Sequence, residues 1–77
     1  MNSEPHKTIT LDFIRDDGKH QITNLFYYSL NEARNMADSV FRNAHVRYTE
    51  VEIRVDNEYS EILANLYPAT VEDLQRI

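Results

Sequence analysis

Seventy-seven residues make one domain with one core, and 42% hydrophobic against 27% charged residues is the balance of a globular chain, not a disordered one. Eight Lys and Arg stand against thirteen Asp and Glu, a net charge of −5 that suits phosphate-backbone binding poorly. Cysteine is absent, which excludes disulfide staples and thiolate metal sites, and no stretch approaches the ~18 consecutive apolar residues of a membrane span.

Residues 1–6 read as a frayed polar lead-in without the apolar run of a signal peptide. With the missing cysteines, that makes a cytoplasmic protein the expectation. Residues 8–15 then alternate, with Ile9, Leu11 and Phe13 on one face of a strand. Asp17-Gly18 reads as a two-residue type I′ hairpin loop, since Asp-Gly tolerates positive φ at both positions. That loop sets Phe13 opposite Ile22, Leu11 opposite Asn24 and Ile9 opposite Phe26. Ile22, Phe26 and Tyr28 extend the apolar face, and Asn24 is a polar conflict within it.

Ser29 opens the one clear helix. Its hydroxyl can accept from an unpaired backbone N–H, and Glu32, three positions on, can reach back to complete a capping box. Leu30, Ala33, Ala37, Val40, Phe41 and Ala44 recur at helical spacing, flanked by Met36, while Asn31, Arg34, Asn35, Asp38 and Arg42 form the opposite face. Asp38 precedes Arg42 by four residues, a surface pair worth ~0.3 kcal/mol.

Residues 48–55 alternate again, with Val51, Ile53 and Val55 inward. A two-residue loop at Asn57-Glu58 sets Val55 against Ser60, Ile53 against Ile62 and Val51 against Ala64, which puts Ile62, Ala64 and Leu66 on the core face. Tyr59, Ile62, Leu63 and Leu66 also fit helical spacing, so residues 59–67 carry a rival helical reading beside the preferred strand. Thr70 reads as a further N-cap, with Val71, Leu74 and Ile77 along one side of a short C-terminal helical turn.

The order β-β-α-β-β implies an α+β two-layer sandwich spanning residues 1–77 as one domain. Its four-stranded antiparallel sheet has spatial order 2-1-3-4 and the helix across one face. No motif in the chain identifies a family.

Chemical motifs are sparse. His6, His20 and His45 lack the paired spacing of a metal site, and Asp12, Asp16 and Asp17 fit turn chemistry, not a calcium loop. Gly18 is the only glycine, so no phosphate-cradling loop exists. Glu50 and Glu52 share a strand face that reads as solvated. The expectation is no catalytic activity, no cofactor and no metal.

Function is expected from the sheet face away from the helix. The registers above place Ile14, Leu25, Tyr27, Tyr48, Tyr59, Leu63 and Tyr67 there, where one-layer cover predicts polar residues. Such a face implies a non-enzymatic protein-interaction module, homodimeric or bound to another protein, with no membrane partner. The alternative is a single-stranded nucleic-acid-binding module stacking bases on the same tyrosines, which the acidic balance opposes.

Overall fold

The structure, a computed structural model, describes residues 5–43 and 45–67. Strands β1 (Pro5–Arg15) and β2 (His20–Ser29) form a hairpin, α1 (Leu30–Asn43) crosses over, and β3 (Tyr48–Val55) and β4 (Tyr59–Ala64) form a second hairpin. The four strands make one antiparallel sheet ordered β2-β1-β3-β4, as the element order implies. Residues 59–64 are strand, which decides against the helical alternative for them. β1 begins at Pro5, three residues before the alternating pattern, with His6 Nδ1 3.5 Å from the Asp56 carboxylate. The expected C-terminal helical turn lies outside the described residues.

The capping box forms as its spacing requires. The Ser29 N–H donates to Glu32 Oε1 at 3.0 Å, and the Glu32 N–H donates to Ser29 Oγ at 3.1 Å, so two otherwise unpaired donors are satisfied. Leu30, Ala33 and Ala37 are buried, while Met36, Val40 and Phe41 pack on the core from its margin. The small alanines let the helix approach the sheet closely, and they meet a layer built from Ile9, Leu11, Phe13, Val51, Ile53 and Val55. Asp38 and Arg42 form the surface pair at 3.2 Å.

Both hairpins depart from the expected register, and for the same reason. Each loop holds three residues, not two. In the first, Ile14 pairs with His20, the Gly18 N–H donates to Arg15 C=O, and the Arg15 N–H donates to Lys19 C=O. Only Gly18 takes positive φ, at 87°, while Asp16 and Asp17 stay in the ordinary region. This is a type I turn closed by a left-handed glycine, the G1 bulge, not a two-residue type I′ turn. Asp17 Oδ1 accepts from the Lys19 N–H at 3.0 Å, and that bond holds its carboxyl below the usual carboxylate range.

The extra residue shifts every pair. Ile9 faces Leu25, Leu11 faces Thr23 and Phe13 faces Gln21. In the second hairpin Asp56 and Asn57 both take positive φ (49° and 61°) and the Glu58 N–H donates to Val55 C=O. Val55 then faces Tyr59, Ile53 faces Glu61 and Val51 faces Leu63. Because side chains alternate with period two, a slip of one residue turns the whole of β2 and β4 over.

The resulting core is aromatic at one end. Phe13 meets Phe41 edge-on, with ring centroids 5.9 Å apart, and Tyr48 at 5.1 Å. A bulge between Ile14 and Arg15 in the β1–β3 pairing swings Tyr48 onto this face. At the β4 side, Arg34 of α1 clamps Glu61 from Nε (3.1 and 3.2 Å) and Nη2 (2.6 Å), which lets a carboxylate sit on the helix-facing side of the sheet. That bond raises Arg34 above its ordinary value.

Candidate functional site

The seven residues expected on the outer face are scattered by the two register shifts. Ile14 alone lies there, half-buried in the row of His20 and Glu50. Leu25 and Tyr48 are core residues, and Leu63 packs on the core from the helix side. Tyr59 shares the row of Val55 and donates from its hydroxyl to Glu61 at 3.2 Å. Tyr67 donates its hydroxyl to Asp38 on α1, a bond that raises the phenol above its ordinary value, with the Arg42 guanidinium 5.9 Å from its ring centre. Tyr27 is 73% exposed, but at the sheet edge, with φ of 63°. No common patch unites them.

The outer face is instead polar at its centre, as one-layer cover demands. Thr10 donates to Asn24 Oδ1 at 3.0 Å, and His20 Nδ1 lies 2.8 Å from Asp12 Oδ1. Arg54 lies 3.9 Å from Asp12 and 3.8 Å from Glu52. Among the described residues no group of three His, Asp or Glu side chains could hold a metal ion. An open groove of about 630 Å³ runs over Lys7, Thr10, Arg54 and Asp56. A second, of about 500 Å³, runs between α1 and β4 over Arg34, Asp38, Phe41 and Leu63.

Of the large exposed apolar residues, Ile22, Phe26, Tyr27, Tyr59 and Ile62 lie on the two edge strands, and Val46 and Leu66 lie outside the strands. β2 is an outer strand of ten residues, and Ile22 is 55% and Phe26 62% exposed on it. From Gln21 to Ser29 it carries no charged residue. Edge strands are ordinarily guarded by charges, proline or brevity, because their unpaired N–H and C=O groups recruit other strands. β2 has none of these from Gln21 to Ser29, and its one irregularity there is the kink at Tyr27, where pairing with Lys7 is lost.

The backbone directions on β2 follow from the turn. The bond from Arg15 N–H to Lys19 C=O makes Arg15–Lys19 a hydrogen-bonded pair. Such pairs recur at every second position, so Gln21, Thr23 and Leu25 bond to β1. His20, Ile22, Asn24 and Phe26 therefore turn their N–H and C=O groups outward to the open edge. The residues with unpaired backbone are thus also those with exposed apolar side chains.

β4, the other outer strand, is shorter, at six residues, and Glu61 sits at its middle. Its outward positions, Ser60, Ile62 and Ala64, offer one large apolar side chain, Ile62, at 63% exposure.

Sequence reasoning assigned Ile22 and Phe26 to the core, and so missed the edge. The signal was present in Asn24, whose placement opposite Leu11 was the one conflict in the assumed register; moving the strand by one residue removes it. No described helix is long and apolar enough to cross a membrane. No protein family, no curated protein and no solved structure matches this chain.

Proposed function

We propose that this protein is a non-enzymatic, cytoplasmic interaction module whose docking element is the open edge of β2 and whose partner is a second copy of itself. The observation that carries the reading is the uncharged edge from Gln21 to Ser29, with outward backbone at the exposed Ile22 and Phe26. Its strand is already extended, so pairing orders little new backbone and satisfies donors and acceptors that solvent otherwise holds.

Electrostatics favours a like partner. Two chains of net charge −5 repel over most of their surfaces, and an uncharged strip is where they can touch without like-charge contacts. A basic partner finds no complement on β2. Single-stranded nucleic acid would find Phe26 and Tyr27 as stacking rings but would lie beside Asp12, Glu50 and Glu52, so we favour protein pairing.

Light scattering tests the reading. The parent is expected to run as a dimer at micromolar concentration. Ile22→Lys is expected to run as a folded monomer, because a lysine on the open edge must be desolvated to pair while costing the half-exposed site little. A parent that stays monomeric, or a variant that stays dimeric, contradicts it.

A further inference from the structure

We propose that the two copies meet antiparallel with Asn24 on the twofold axis, so that Ile22 of each protomer faces the partner's Phe26 and two four-stranded sheets become one of eight strands. This rests on the reading of β2 as a self-pairing edge and specifies how it pairs.

Three constraints limit the register, and the side-chain pairs choose among the registers that remain. First, a hydrogen-bonded pair across the new junction needs outward backbone on both strands, which restricts it to His20, Ile22, Asn24 and Phe26. Second, the positive φ of Tyr27 ends regular pairing at Phe26. Third, a twofold pairing must repeat each contact symmetrically.

An axis on Asn24 meets all three. Ile22 meets the partner's Phe26 twice, an aliphatic–aromatic cross-strand pair, and about six backbone hydrogen bonds form. Asn24 meets its own copy. Its Oδ1 already accepts from Thr10 at 3.0 Å, which leaves its amide N–H₂ free to donate to the facing Asn24 carbonyl oxygen, still with a lone pair in reserve.

The neighbouring registers are poorer in their side-chain pairs, although an axis on Thr23 forms about eight backbone hydrogen bonds. An axis on Thr23 sets Ile22 against the partner's Asn24, and Phe26 against the partner's His20, whose ring is engaged with Asp12 at 2.8 Å. An axis on Leu25 sets Phe26 against the partner's Asn24 and leaves Ile22 opposite the irregular chain past Tyr27. Asn24 is thus the specificity-determining residue of the junction, since an unpaired amide in any register that covers it with Phe26 or Ile22 is penalised.

Cysteine cross-linking reads the register directly, because the chain has no cysteine of its own. Across a hydrogen-bonded antiparallel pair the Cα atoms lie ~5.5 Å apart, inside the disulfide range. Residues displaced by four positions along the strand are ~14 Å apart and outside it. Asn24→Cys is expected to cross-link to itself on mild oxidation. Ile22→Cys and Phe26→Cys are each expected to cross-link poorly alone and well when the two variants are mixed beforehand, which keeps the test sound should losing Asn24 weaken the dimer.

Cross-linking of Ile22→Cys with Asn24→Cys, while the Ile22→Cys and Phe26→Cys mixture stays unlinked, overturns this register in favour of an axis on Thr23 and leaves β2 pairing standing. A dimer by light scattering with no cross-link in any combination overturns both the register and the β2 edge. A monomeric parent overturns the self-pairing reading on which the register rests.

Discussion

Phe13→Ala should lower stability by about 3–5 kcal/mol, enough to leave much of so small a domain unfolded at physiological temperature. Phe13 is 2% exposed near the C-terminal end of β1, an inner strand, and it touches both the helix through Phe41 and the strand β3 through Tyr48. Truncation leaves a void that α1 cannot close, because the Ser29–Glu32 box and the buried Ala33 and Ala37 fix the helix against the sheet. Phe41 is half-buried, so Phe41→Ala should cost less. Urea denaturation followed by circular dichroism checks both. A midpoint for Phe13→Ala equal to that of the parent would mean the aromatic junction is not the keystone of the core.

Leu63→Glu and Ile62→Glu should part company, and the contrast decides the register of the second hairpin. Leu63 pairs with Val51 and packs against the core beneath α1, near Glu61 and Asp38. A carboxylate there loses apolar burial and meets like charge, a cost of about 2–3 kcal/mol. Ile62, in the row of Glu52, is 63% exposed, so its substitution should change stability by less than about 0.5 kcal/mol. The opposite order in thermal melting would restore the two-residue loop and return Leu63 to the outer face.

Element identity and order were legible because each had a local cause. The Ser29–Glu32 spacing starts a helix whatever surrounds it, and the alternation of residues 8–15 and 48–55 admits one inward face. β2 and β4 were not legible to the same depth. On β2 both alternating sets are apolar, Ile22, Phe26 and Tyr28 against Leu25 and Tyr27, so the pattern cannot choose between faces and the loop length must. Asp-Asp-Gly accommodates a two-residue and a three-residue turn alike, and the glycine alone takes positive φ.

On β4 the obstacle was Glu61. The true register turns it towards the helix, where a side chain only 14% exposed would be penalised without a partner. That partner is Arg34, 27 residues earlier in the chain, so no local rule could have supplied it. The interaction site was misread as a consequence. Of the seven residues assigned to one outer face only Ile14 lies there; the other six are spread over the core, the helix side and the sheet edge, and the edge itself was hidden by counting Ile22 and Phe26 as core. The broader expectation of a homodimer, including pairing through an edge strand, now rests on β2.

Amide hydrogen exchange on the parent protein tests that edge most directly. In a single copy the N–H groups of Thr23 and Leu25 are tied to β1, while those of Ile22, Asn24 and Phe26 face solvent. Self-pairing through β2 predicts that the three solvent-facing amides become protected as protein concentration rises, with no matching change at Ser60, Ile62 and Ala64 on β4. Rapid exchange at Ile22, Asn24 and Phe26 at every concentration would contradict it.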